Sequence, residues 1–351
     1  MTDTPVAVEA VSSTRETDSR PALGERVLEI RNLDVTFKTE DGPVYAVRGF
    51  DLDLDAGEVL GIVGESGSGK SVTMLAVLGL LPKTAQITGS VKFRGEELIG
   101  RKSKELKDIR GKKIAMIFQD PLTALNPVLR VGKQITEALR AHQPELDERE
   151  AIGKAVELLD SVGIPRPEVR VSQYPHEFSG GMRQRAMIAM MLANDPQVII
   201  ADEPTTALDV TIQSQILELL KSVQERTRTA VAFITHDLGV IAHVADRVQV
   251  MYAGRAAELA PVDEIFHASR HPYTRGLLSS LPSISGRTGR LHPIVGAPPS
   301  MLNPPPGCAF HPRCPSAQGK CTDEQPPFEA MGAADHKVAC YFPVSVAEAS
   351  T

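Results

Sequence analysis

A chain of 351 residues, 42% hydrophobic and 23% charged, exceeds one typical domain and carries enough apolar material for an extensive core. Its formal net charge of −6 excludes broad nonspecific binding to nucleic acid or anionic lipid and leaves room only for a local basic patch. No apolar run reaches the roughly 18 to 20 residues of a membrane-spanning helix, and no secretion signal opens the chain, so a cytosolic location is expected.

Residues 1–26 are rich in Thr, Ser, Glu, Ala and Val without periodicity and read as a disordered tail. Apolar and polar residues then alternate over 27–37 and 44–54, with Asp41-Gly42-Pro43 between, which predicts antiparallel strands joined by a turn. Residues 59–63 form an apolar strand, and 72–81 read as an apolar helix stopped by Pro82. Between them lies Gly64-Glu65-Ser66-Gly67-Ser68-Gly69-Lys70-Ser71, with Val72 next. A triphosphate needs several backbone N–H groups converging on it, and glycine lets the main chain approach that closely. The helix N-terminus adds partial positive charge, Lys70 can reach the β- and γ-phosphates, and Ser71 offers a hydroxyl to magnesium. Strand, loop and helix together make a phosphate-binding loop for a nucleoside triphosphate.

A short strand pair is expected near 90–93, and 114–118 is a compact apolar strand ending at Gln119. Helical spacing over 131–159, through Ile135, Leu139, Ile152, Val156 and Leu159, predicts a helical insert at about 120–180. After Phe178, Ser179 is a good N-cap, and Gly180 and Gly181 expose N–H groups at the start of a helix that carries Arg183 and Gln184 and runs to Leu192. That is a second anion site or an ordinary capped helix. Residues 198–201 deliver Asp202 and Glu203 at a strand end, and 231–234 deliver Thr235, His236 and Asp237 in the same way. Asp202 is placed to hold magnesium and Glu203 to orient an attacking water, the alternative being an acidic pair that caps the next helix. His236 could touch the γ-phosphate and hold Glu203, and Gln119 could sense magnesium and the water, although each alone is as readily a turn residue. One set of acids beside two anion sites suggests that two chains share a nucleotide.

The order of Gly64 to Ser71, Gln119, Ser179-Gly180-Gly181, residues 198–203, Ala207-Leu208-Asp209 and His236 resembles the nucleotide-binding subunits of ABC transporters over residue 27 to about 260. The resemblance implies an α/β P-loop NTPase at 27–265, with an antiparallel β subdomain and a helical subdomain, that hydrolyses ATP with magnesium held by Ser71, Gln119 and Asp202. It implies that Phe37 stacks on adenine, with Tyr45 the alternative. Ser179, Gly180 and Gly181, with Arg183 and Gln184, would grip ATP bound by the opposite subunit, and Ala207, Leu208 and Asp209 would cross the dimer interface. Motion would pass to the membrane subunits through the region near Gln119 and the helical insert. Phe178 replaces the Leu more usual there, keeping an apolar side chain.

Residues 266–351 change character and contain all four cysteines, at 308, 314, 321 and 340. Without a secretion signal a disulfide framework is not expected, which leaves free thiols or a metal or iron–sulfur site. The spacing matches neither the tight knuckles of structural zinc nor the ferredoxin patterns. Ser269-Arg270-His271-Pro272-Tyr273-Thr274, Gly296-Ala297-Pro298-Pro299 and 307–315 resemble the C-terminal extension of oligopeptide and dipeptide permease ATPases, of the D rather than the F type. This implies peptide import at the cytoplasmic face of the membrane, with two transmembrane permease subunits, an F-type ATPase or a second copy as partner, an extracytoplasmic binding protein and no nucleic acid. It also implies a [4Fe–4S] cluster on Cys308, Cys314, Cys321 and Cys340. Importers of nickel, glutathione or sugars share the pattern; soluble ABC-type ATPases acting on nucleic acid or ribosomes usually carry two ATPase halves or a long coiled coil, and this chain has neither.

Overall fold

The computed structural model describes residues 20–120, 124–206, 209–280 and 293–345. Strands β1 (Arg26–Thr39) and β2 (Gly42–Asp55) pair antiparallel, as the alternation predicts. Their turn is Glu40-Asp41, earlier than expected, because Gly42 already faces Thr39 and Pro43 faces Lys38. Pro43 is tolerated there because β2 is an edge strand, where a missing N–H breaks no ladder. The chain then enters β3 (Val59–Val63) and α1 (Lys70–Val77), and returns as β4 (Ala85–Phe93) and β5 (Glu96–Glu97), giving a four-stranded sheet in the order β2-β1-β4-β5. Helix α1 stops short of Pro82. Gly79 takes φ +58°, and the N–H groups of Gly79 and Leu80 bond back to the carbonyls of Ala76 and Leu75, a Schellman closure that ends the helix without help from proline.

The second sheet carries the chemistry. β6 (Ile114–Ile117), β7 (Val198–Asp202), β8 (Ala230–Thr235), β3 and β9 (Arg247–Tyr252) lie side by side in that order, all parallel. β3, β7 and β8 are buried along their whole length, which is why they read as unbroken apolar runs. Their common direction brings Gly64, Glu203 and His236 out at one edge of the sheet.

The other face of this sheet is covered by α2 (Val131–Arg140), α3 (Glu148–Ser161), α4 (Gly180–Leu192) and α5 (Val210–Thr227). Helix α3 buries Ala151, Ala155 and Leu159 and leaves Ile152 42% exposed, one position off the stripe expected from its larger side chains. Small alanines let α3 pack closely, and the larger Ile152 is left on the open face.

Both ends of the cassette are tied to its sheets. The tail read as disordered over 1–26 is tied down from Arg20, whose guanidinium bonds the Thr227 carbonyl and pairs with Asp195, while Gly24 and Glu25 share backbone hydrogen bonds with Ala56. Residues 1–19 lie outside the described residues. The region from 266, read as a C-terminal extension, joins the larger sheet. After β10 (Arg255–Pro261), α6 (Leu238–Val244) having preceded it, the chain forms α7 (Val262–Ala268) and α8 (Pro272–Ser279) and later β11 (Glu329–Met331) and β12 (Ala333–Val338). β12 pairs antiparallel with β10, so the C-terminal region extends the larger sheet to eight strands and covers what would be an open edge.

A buried ionic knot fastens that junction. Glu258 of β10, fully buried, accepts from the N–H groups of Arg270 (2.6 Å) and His271 (3.1 Å) and from His336 Nε2 (2.7 Å), while His336 Nδ1 meets Glu264 at 2.7 Å. Burial alone would push the His336 pKa down, but two flanking carboxylates outweigh it and raise it. A raised folded-state pKa means that the knot stabilises fully below pH about 6.5 and loses its contribution as pH rises through the elevated value. His336→Ala leaves Glu258 buried with its charge partner gone, and is expected to cost about 3 kcal/mol in urea unfolding, with the loss shrinking toward alkaline pH.

Candidate active site

The phosphate loop begins where β3 ends. At Gly64 a Cβ would stand 2.2 Å from the Met251 carbonyl oxygen, and at Gly69, φ +101°, 2.6 Å from that of Ala46, so backbone on both sides leaves room for glycine alone. Lys70 is buried, and its ammonium donates to the carbonyls of Gly64 (2.7 Å) and Glu65 (3.0 Å) and to Ser68 Oγ (3.3 Å). Burial lowers its pKa against the opposing pull of Glu203 and Asp202. Ser66 and Gly67 are exposed at the loop's tip, and Val72 packs against the core between the sheets.

Asp202 and Glu203 stand at the adjoining strand end. Ser71 Oγ donates to Asp202 Oδ1 at 2.9 Å, and burial pushes the Asp202 carboxyl up. The chain turns at Glu203 through the left-handed region, φ +47°, with its N–H on the Ile234 carbonyl. Such a conformation costs of order 1–3 kcal/mol in a residue with a side chain and persists where the surroundings hold it. Here they do. Glu203 Oε2 accepts from Gln119 Nε2 (2.8 Å) and Thr206 Oγ1 (3.0 Å), and Oε1 lies 3.0 Å from His236 Nδ1. Burial would raise the Glu203 pKa, but the bonds from His236 and Thr206 prevail and lower it, so the carboxylate is ionised at neutral pH. Gln119, Glu203 and His236, 117 positions apart in the chain, thus share one hydrogen-bonded cluster.

Other expected residues are placed as follows. Ser179 Oγ caps α4 by accepting from the Met182 N–H, Gly180 has open space where a Cβ would project, and Gly181 is pressed against Ile212. Arg183 Nε donates to the Pro175 carbonyl and Gln184 Nε2 to that of Pro204, so both support the segment from behind. Phe37 faces Val44 and Tyr45 faces Thr36 in neighbouring pairs, which puts the two aromatics on opposite faces of the ribbon. Phe37 packs toward the core; Tyr45 is exposed. Asp209 caps α5 by accepting from the Ile212 N–H, and Ala207 and Leu208 lie outside the described residues. Sequence reasoning missed Thr206, whose only signal was its place three residues after Glu203, and Tyr273 and Arg313, which reach the loop from the C-terminal region.

Cys308, Cys314, Cys321 and Cys340 are free thiols lining one small cavity with His271 and Phe310. Burial, then mutual proximity, raises the pKa values of Cys308, Cys314 and Cys340, the last to about 12. Among the described residues no three His, Cys, Asp or Glu side chains are placed to hold a metal ion.

Residues 47–206 match the family model described as ABC transporter, and 257–321 match that of the oligopeptide/dipeptide transporter C-terminal region. The chain is 54% identical over 305 residues to the oligopeptide transport ATP-binding protein OppD of Bacillus subtilis (strain 168), covering 86% of this chain and 85% of that protein. It belongs to that family of ABC transporter ATP-binding proteins. The dipeptide transport ATP-binding protein DppD of the same organism is 51% identical over 90% of this chain and 95% of its own. The dimeric post-hydrolysis structure of the ATP-binding cassette MJ0796 bound to ADP and Pi superposes with TM-score 0.61 at 29% identity, covering 67% of this chain and 98% of that one. The chain is therefore an ABC-type ATPase, and none of its described helices is long and apolar enough to cross a membrane.

Gly69→Ala is expected to lower stability by about 2 kcal/mol through left-handed strain, more if the Ala46 backbone cannot shift, and to abolish ATP binding. Chemical denaturation and nucleotide titration of the variant check both.

Proposed function

We propose that this chain is the ATP-hydrolysing subunit of an importer of di- and oligopeptides, acting at the cytoplasmic face of the membrane. Its partners would be two transmembrane permease subunits, a homologous F-type ATPase or a second copy of itself, and an extracytoplasmic substrate-binding protein. The observation that carries the reading is that the segment of oligopeptide-transporter type, 257–321, starts in β10 of the sheet that presents the phosphate loop and reaches that loop through Tyr273 and Arg313.

Within that reading, the loop N–H groups of 64–71 and Lys70 hold the triphosphate, and Lys70 exchanges its bonds to the loop carbonyls for phosphate oxygens. Magnesium, when bound, neutralises charge on the phosphates. The Ser71 hydroxyl and Asp202 carboxylate, already in contact, would hold it together with the side-chain oxygen of Gln119, whose Nε2 is bonded to Glu203. Glu203 orients and deprotonates the attacking water, with its carboxylate held by Thr206, Gln119 and His236. Phe37 stacks on adenine, with Tyr45 the alternative. Ser179, Gly180 and Gly181 serve the nucleotide on the partner, supported by Arg183 and Gln184, and 207–209 lie at the dimer interface.

The four cysteines are the donor set for a [4Fe–4S] cluster. Their fit rests on chemistry: the four thiols line one cavity, and burial raises the pKa values of Cys308, Cys314 and Cys340, whose anionic form a cationic iron core would stabilise.

Glu203→Gln is expected to bind ATP with wild-type affinity, to accumulate as an ATP-bound dimer and to lose hydrolysis by about a hundredfold or more; full turnover would remove Glu203 from its role. Deleting the gene should stop uptake of labelled di- and oligopeptides, and Lys70→Ala should fail to restore it. Anaerobically purified chain should contain iron with broad visible absorption near a common cluster band, both lost in Cys340→Ser; zinc without colour would contradict the assignment.

A further inference from the structure

One residue of the Cys-rich region reaches into the phosphate loop. Arg313, between Pro312 and Cys314, has a side chain only 5% exposed and forks onto Glu65, with Nη1 to Oε2 at 2.7 Å and Nη2 to Oε1 at 3.0 Å. Its Nη1 also meets Tyr252 Oη at 3.2 Å, and Nε donates to the Val295 carbonyl at 3.2 Å. The backbone of the same loop residue is held from the same side, since the Glu65 N–H donates to Tyr273 Oη at 2.9 Å. Tyr252, Tyr273 and Phe310 pack with ring centroids 4.5 to 5.4 Å apart, so both holders of Glu65 stand on one aromatic cluster. The Glu65 carbonyl, in turn, accepts from Lys70.

Glu65 is the only acidic residue in a loop that must accept a polyanion. An unpaired carboxylate there repels the ligand, and a freely rotating one competes with phosphate for Lys70. A planar guanidinium making two parallel hydrogen bonds removes both problems, because it fixes the carboxylate on Arg313 and cancels its charge.

We propose that Arg313 is a positioning residue of the nucleotide site, through which the Cys-rich region sets the charge and shape of the phosphate loop. It acts through Glu65 and touches no substrate. The proposal rests on the loop being the nucleotide site, and it ties ATP affinity to the segment bearing Cys308 and Cys314, two of the four thiols around the cavity.

The test is titration of the full-length chain with the fluorescent analogue TNP-ATP. Arg313→Ala should weaken binding about tenfold, Arg313→Lys should recover part of it, and adding Glu65→Gln to Arg313→Ala should recover most of it, since the unpaired carboxylate is then gone. The defect should shrink as salt rises. A purely structural role would give a loss that Glu65→Gln does not relieve and salt does not alter, and that result, or wild-type binding by Arg313→Ala, overturns the proposal. Should Arg313→Ala fail to fold, Arg313→Gln, which keeps length and hydrogen bonding while dropping the charge, is read by the same criteria. Lys70→Ala separates the two levels: if it binds as wild type, the loop is not the nucleotide site; if it loses binding while Arg313→Ala does not, only the role of Arg313 fails.

Discussion

Everything in this molecule depends on β3 being buried between two parallel neighbours. Val59–Val63 has β8 on one side and β9 on the other, with α1 and a second sheet packed beyond, so the loop that follows emerges at a fixed point and in a fixed direction. A loop that binds phosphate through backbone N–H groups has little side-chain adaptability, and its rigidity has to come from what stands behind it. The backbone of Met251 presses on Gly64 and that of Ala46 on Gly69, so one contact comes from each sheet. The same parallel run delivers Asp202, Glu203 and His236 beside the loop without any further device.

The C-terminal region belongs to this framework. It covers the β10 edge with β12, closes the junction with the Glu258–His336–Glu264 knot, and holds Glu65 from outside through Tyr273 and Arg313. A region that varies in composition from the cassette is thereby coupled to the cassette's most constrained segment. The loop is gripped on one side by the two sheets and on the other by the region that marks the transporter family.

Much of the cassette was readable in the sequence because its signals are local. The phosphate loop is eight consecutive residues, and the apolar runs at 59–63, 198–201 and 231–234 name central parallel strands on their own. What was not readable is non-local or hidden by polarity. β12 contains Asp335-His336-Lys337, which hardly resembles a strand against a core, yet His336 is wholly buried because Glu258, 78 positions away, satisfies it. Arg313 meets Glu65 across 248 positions, and nothing near either residue announces the pair. Helix α3 misled in the ordinary way, since large apolar side chains were weighted above the alanines that the packing buries.

The proposed function requires that the loop and the Ser179–Gly181 segment of one chain serve different nucleotides, each site being completed by the partner. The direct measurement is ATP hydrolysis by the assembled transporter when Lys70→Ala and Gly181→Asp are distributed in two ways. With both changes in the same ATPase subunit, every composite site contains one defect and hydrolysis should fall to background. With Lys70→Ala in one subunit and the signature change in its partner, one composite site carries both defects and the other neither, so measurable hydrolysis should survive. Survival in the first arrangement and loss in the second would show that each chain completes its own site, and would contradict the account.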